Sequence, residues 1–314
     1  MIGGTLINMK IMILGAGGIG GYLAAMLSRK FGDITLVARG AQLNAIRENG
    51  LTLVNDGERF TVRPALCTDN PSEAGEQDVI LLCTKSYGLA AALDQVRPCV
   101  KPDTLLIPML NGVNTHKRIA AGMDRGIALD GCIYVFSRIT APGVIEKGGA
   151  LNRICMGIPG KKAAEQPETL FRLRDMLNES GINTDIPDDI VREMWLKWSL
   201  ISTNGQACAY FNVPVGKLRE TPHMYEFLMG LVDEILLIAK AEGVDMPDDL
   251  KNRIAKTVAD MPYDSTPSLL RDINEPGKPT EMDLFAGELC RMADKHGIEA
   301  PNNHKTRDRF IDRL

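Results

Sequence analysis

A chain of 314 residues with 45% hydrophobic and 24% charged residues has an ordinary soluble, globular composition and is long enough for two domains. Its net charge of −4 argues against a nucleic-acid or anionic-membrane surface. The four histidines (His116, His223, His296, His304) lack metal-ligand spacing, so no metal site is expected.

The seven cysteines form no CxxC pair, which fits thiols in a reducing compartment. The opening MIGGTLINMK lacks the charged and apolar regions of a signal peptide, and no apolar run approaches the ~20 residues that span a bilayer. A soluble cytoplasmic protein is expected; translation from Met1 or from Met9 is left open.

MKIMIL (9–14) is an apolar run ending at glycines, as a buried parallel strand does. Leu23, Ala24, Ala25 and Leu27 then recur at helical spacing up to Arg29, and ITLVAR (34–39) is a second strand. This is one βαβ crossover of roughly 30 residues. AQLNAIREN predicts a helix, and LTLVNDGERFTVRP two strands turning at Asn55-Asp56-Gly57. DVILLCTK (78–85), a helix in AALDQVRP and TLLIPMLNG (104–112) continue the alternation. Residues 127–158 predict antiparallel strands around Ala141-Pro142-Gly143, followed by a charged helix (165–180) and the short strand INTDI. A mostly parallel, doubly wound sheet is the expectation.

From Asp188 the pattern changes to long helices, in DDIVREMWLKWSLISTNGQACAY, MYEFLMGLVDEILLIAKAEG, PDDLKNRIAKTVADM and TEMDLFAGELCRMADKHG. Residues 261–280 carry four prolines and little periodicity. The expected division is an α/β domain over residues 1–186 and an all-α domain over 187–314.

The glycines of ILGAGGIGG lie between a strand and a helix, the context in which GxGxxG has meaning. Gly15 permits the tight turn, Gly17 lets the backbone approach a pyrophosphate, and Gly20 lets helix and strand pack closely. With Ala16, Gly18 and Ile19 they make a loop whose helix N-terminus offers N–H donors to phosphate. A glycine turn without a ligand is the plainer alternative. Where NAD-specific folds carry an acidic residue, this chain has Arg39, nineteen residues after Gly20. A guanidinium forks onto a 2′-phosphate, which favours NADP(H); a solvated surface charge is the lesser alternative.

The chain resembles the ketopantoate reductase family over essentially its full length. The resemblance is carried by MKIMILGAGGIGG, VAR, LLCTKSY, LNGV, MWLKW and PTEMDLFAGEL. It implies a Rossmann-type NADP(H) domain followed by a helical domain, with the active site between them, and NADPH-dependent reduction of a 2-oxo acid, classically ketopantoate to pantoate on the route to pantothenate. A paralogue reducing a different 2-oxo acid, or a non-catalytic NADP(H)-binding protein, are the alternatives. The implied partner is a small 2-oxo acid; a homodimer is left open.

The resemblance places the proton donor at Lys197. The residues agree, because Trp195, Leu196 and Trp198 surround it, and an ammonium stripped of water gives up its proton more readily. A lysine snorkelling to solvent is the alternative. Also by resemblance, Glu281 orients Lys197 or the cofactor, and Asn111 contacts cofactor ribose and substrate. Lys85 lines the cofactor site, and Ser268 helps bind substrate. Three positions depart from the family pattern: Ile201, Gly205 and Val215 stand where asparagines are usual. Asn204, about 20° from Lys197 around the helix, is the expected partial replacement. The pocket is therefore expected to be roomier and more apolar than a ketopantoate-specific one.

Overall fold

The computed structural model describes residues 9–313, so Met1 lies outside the described residues. Contacts divide the chain into two compact units. The first runs up to Leu110 and from Asn114 to Ile190; the second comprises Asn111–Val113 and the chain from Val191 onward. The boundary falls a few residues beyond the expected 186/187 because Asp188 still belongs to the first unit, its carboxylate accepting the Ala163 N–H at 3.0 Å.

In the first unit, β1 (Ile11–Leu14) leads through the glycine loop into α1 (Gly18–Ser28), then β2 (Ile34–Val37) and α2 (Gly40–Asn49). A hairpin follows, β3 (Leu51–Asn55) and β4 (Glu58–Val62). Its turn places Asp56 and Gly57 at φ 48° and 93°, as the Asn-Asp-Gly sequence predicts. Next come β5 (Leu66–Thr68), β6 (Gln77–Leu82), α3 (Leu89–Val96) and β7 (Val100–Pro108). The unit continues with α4 (Thr115–Gly122), β8 (Ile127–Ala128), β9 (Asp130–Ala141), β10 (Val144–Gly157), α5 (Glu168–Glu179) and β11 (Asn183–Asp185).

These strands form two sheets rather than the one that was expected. Six parallel strands run in the order β5-β2-β1-β6-β7-β8, which reverses direction of growth at β1/β6. That reversal is where an open α/β sheet leaves a crevice for a ligand at its strand ends. The second sheet has the order β11-β10-β3-β4, with β9 antiparallel to β10. Alternation along the chain does not reveal that β10 pairs in parallel with both β3 and β11. Helix α1 packs against strands of both sheets, and its residues Gly20–Leu27 are all buried. A helix apolar on every side requires such cover.

The second unit is helical: α6 (Ile190–Phe211), α7 (Val215–Glu220), α8 (Pro222–Ala241), α9 (Leu250–Asp260), α10 (Ser268–Asn274), α11 (Glu288–His296) and α12 (Pro301–Arg309). Leu228, Leu231 and Val232 of α8 meet Ile254 and Val258 of α9 in its core. Buried Glu234 accepts the Asn302 and Asn303 N–H groups at 2.8 and 2.9 Å, capping α12 from a neighbouring helix. The proline-rich stretch 261–280 holds one short helix, α10, because Pro267 stands just before its first residue.

Candidate active site

In the glycine loop each glycine answers a different constraint. Gly15 has φ 106°, and a Cβ there would lie 2.8 Å from the Cys83 carbonyl oxygen. A Cβ on Gly20 would stand 1.8 Å from the Gly15 carbonyl oxygen, so only glycine lets α1 cross the loop this closely. Gly18 is pressed by β9, since its Cβ would come within 2.5 Å of the Ser137 carbonyl oxygen. Gly17 differs from all three. Its φ is −75° and ψ −169°, open to any residue, and a Cβ there meets nothing within 4 Å. Neither conformation nor packing requires a glycine at that position. A cradle that a Cβ would fill, at the N-terminus of α1, fits a dinucleotide pyrophosphate.

Ala16 and Ile19 complete the loop. Gln42 of α2, which no sequence pattern singles out, donates to the Ala16 carbonyl at 3.0 Å and accepts the Gly143 N–H at 2.9 Å. It thereby ties the loop to the β9–β10 turn. Arg39 is exposed at the end of β2, and its guanidinium donates to the Gln95 side chain at 2.7 Å. Lys85 is half-buried just beyond β6, before the 3₁₀ turn Ser86–Gly88.

The second unit gathers three of the expected residues. Lys197 sits on α6 between Trp195 and Trp198, whose rings meet edge to face at 5.3 Å. It does not snorkel: it is only 9% exposed, and its Nζ donates to Asn111 Oδ1 at 3.0 Å. Asn111 Nδ2 in turn donates to Glu281 Oε2 at 3.4 Å, and Glu281 is 3% exposed. The amide is therefore oriented by both neighbours, oxygen toward the ammonium and nitrogen toward the carboxylate. Gly112, at φ 109°, lets the segment lie on Leu284, which a Cβ would approach to 2.6 Å. Glu281 precedes a π-helical turn, Asp283–Gly287, a feature that often marks functional sites.

Asn204 and Ser268 do not join this group through the hydrogen bonds seen among the described residues. Asn204 Nδ2 meets the Met261 sulfur and its Oδ1 the Cys208 thiol, each at 3.6 Å. Ser268 is half-buried at the first position of α10. The three departures also separate. Val215 is fully buried in the helical core, and a Cβ on Gly205 would rest at van der Waals distance, 3.6 Å, from Leu269. Only Ile201, half-buried one turn beyond Lys197, is left as a candidate pocket wall. Leu269 already takes up space beside Gly205. Among the described residues no His/Cys/Asp/Glu group could hold a metal, and no helix is long and apolar enough to cross a membrane.

Residues 11–159 match the family described as ketopantoate reductase PanE/ApbA, and residues 189–307 match its C-terminal domain. A 2-dehydropantoate 2-reductase of Mesorhizobium japonicum is 31% identical, covering 91% of this chain and 93% of its own. The uncharacterized oxidoreductase YkpB of Bacillus subtilis is 27% identical, covering 93% and 95%. The crystal structure of 2-dehydropantoate 2-reductase from Porphyromonas gingivalis superposes with a TM-score of 0.82 at 28% identity, covering 96% of this chain and 99% of that one. The chain belongs to the ketopantoate reductase family and is an oxidoreductase that works with a nicotinamide cofactor.

Proposed function

We propose that this protein reduces a 2-oxo acid to the 2-hydroxy acid with NADPH, ketopantoate being the first substrate to test. The observation that carries the reading is the buried Lys197–Asn111–Glu281 chain. Reduction of a ketone needs a hydride on carbon and a proton on oxygen. The nicotinamide supplies the hydride when bound. Lys197 supplies the proton and stabilises the developing alkoxide, in surroundings where a charge acts strongly because water is excluded. Asn111 aims the ammonium, and Glu281 fixes the rotamer of the Asn111 amide. The glycine loop would hold the pyrophosphate, Gly17 leaving open space beside its backbone, and Arg39 and Lys85 would supply positive charge to the cofactor.

Ile201 supports a substrate without a distal hydroxyl as a second reading, because a site lacking hydroxyl partners rejects or selects a hydroxyl only weakly. The test is a panel of ketopantoate, 2-oxoisovalerate and benzoylformate with NADPH, followed at the nicotinamide absorbance. Lys197→Ala is expected to lower kcat on the best of these by ~10²–10⁴ while NADPH binding stays near normal. Turnover within a few-fold of the parent would remove Lys197 from the chemistry.

A further inference from the structure

Glu281 is buried, yet the chain that delivers it, Glu275–Thr280, has no helix or strand to fix it. Pro276 and Pro279 cannot donate backbone hydrogen bonds, and Gly277 has φ 72°. Besides one long backbone bond, Lys278 N–H to the Glu275 carbonyl at 3.3 Å, its restraints involve side chains. Lys278 pairs with Asp272 at 2.8 Å and with Glu275 at 2.6 Å. Arg313, in the last described turn (Ile311–Arg313), reaches across to the same segment. Its guanidinium donates to the Lys278 carbonyl at 3.0 Å and, at a long 3.5 Å, to the carbonyls of Asp272 and Ile273. Its own carbonyl accepts the Thr280 hydroxyl at 3.0 Å, and that hydroxyl accepts the Met282 N–H at 3.3 Å. Arg313 thus grips the segment on both sides of Pro279, and the Thr280 hydroxyl it holds also takes the N–H that follows Glu281.

We propose that Arg313 is a positioning residue for the reduction, holding Glu275–Thr280 so that the Glu281 carboxylate meets Asn111 and keeps the Lys197 ammonium aimed. The inference rests on the reading of Lys197–Asn111–Glu281 as the reducing site. A planar guanidinium suits the task because it spreads its donors over several carbonyls at once. The plainer role would be to cap the last carbonyls of α10, which include Asp272 and Ile273. That role predicts lost stability with normal turnover per folded molecule.

The test compares Arg313→Ala, Glu281→Gln and the double variant on the best substrate of the panel, with Thr280→Val as a second probe in case Arg313→Ala folds poorly. Thermal melts accompany each. Arg313→Ala is expected to lower kcat ~10–100-fold with a smaller change in KM, and Thr280→Val about tenfold. In the Glu281→Gln background, Arg313→Ala should change kcat by less than twofold, because its route of action is already cut. Normal kcat in folded Arg313→Ala and Thr280→Val overturns the proposal. So does a loss of equal size with and without Glu281. If Glu281→Gln itself turns over normally, or no panel member reacts, the reading of the site falls and the positioning role falls with it.

Discussion

In Gly17→Ala the added methyl group enters open space: no atom stands within 4 Å of it, and the backbone is already in an extended conformation. Restricting the unfolded chain favours alanine by about 0.4–1 kcal/mol at an unstrained site. Gly17 is also the N-cap of α1, where glycine is preferred to alanine by a similar amount, so the two effects offset. The melting temperature should move by less than ~4 °C. A bound pyrophosphate must come within hydrogen-bonding distance of the same backbone, and the methyl group holds it off. Losing one or two charge-assisted hydrogen bonds costs roughly 1.5–3 kcal/mol each, so NADPH should bind at least ~10-fold and up to ~10⁴-fold more weakly. Fluorescence titration of NADPH measures the affinity, and a melt of the same sample measures the fold. Gly20→Ala is the contrasting control. Its Cβ would overlap the Gly15 carbonyl oxygen at 1.8 Å and crowd Cys83 Cβ at 3.0 Å, so it should lose folded protein. NADPH binding within twofold of the parent in Gly17→Ala would refute the argument that the cofactor explains this glycine.

Arg39→Asp should weaken NADPH by ~10–150-fold and NADH much less, since only the former has a phosphate for the guanidinium to pair with; equal losses would place Arg39 away from the 2′-phosphate. Because Ile201 stands where an asparagine is usual, ketopantoate and its 4-deoxy analogue should show kcat/KM values within ~10²-fold, and a preference of several orders of magnitude would mean that other residues bind the hydroxyl. Asp78 gives a stability test. Burial pushes its carboxyl up, but bonds from the Lys101 ammonium at 2.7 Å and the Lys10 N–H at 2.8 Å outweigh this and hold it below the ordinary range. A lowered folded pKa adds stability that is present above the ordinary carboxylate pKa of ~4 and lost as pH falls through the folded value. The parent should therefore lose more melting temperature between pH 7 and pH 3 than Asp78→Asn, and parallel curves would contradict the pairing.

Four strands of the parallel sheet, β1, β2, β6 and β7, were legible because each is a short apolar run closed by a turn residue. Strand β5 was not anticipated, and β8 was grouped with antiparallel strands although it pairs in parallel with β7. Lys197 stood out between two tryptophans. The second sheet was legible only as two separate antiparallel pairs, β3–β4 and β9–β10. Its defining pairs, Val144 beside Thr52 and Arg153 beside Asn183, join segments 92 and 30 residues apart, and periodicity carries no information on such partners. Asn111 presents a similar limit. Its sequence context is a strand followed by Asn-Gly, while its role depends on a helix 86 residues later and a carboxylate 170 residues later. The departures at Gly205 and Val215 read as losses in a linear pattern, yet Leu269 and the helical core stand against them in space. Gln42 and Arg313 gave no signal at all, because each acts through backbone carbonyls whose proximity only the fold creates.

The π-helical turn at Asp283–Gly287 works as a phase adjuster between two neighbours with unrelated demands. Downstream, α11 must keep Leu289, Cys290, Met292 and Ala293 turned into the helical unit. Upstream, Glu281 must face Asn111. In an uninterrupted α-helix these azimuths would be locked together, about 100° for every residue. One additional residue in the turn releases the lock and lets each end keep its own bearing, with Arg291 tied to Asp283 at 2.7 Å across the irregularity. Among relatives, a change in the bearing of the acidic residue can therefore arise as an insertion or deletion within this turn, leaving the packing of α11 untouched.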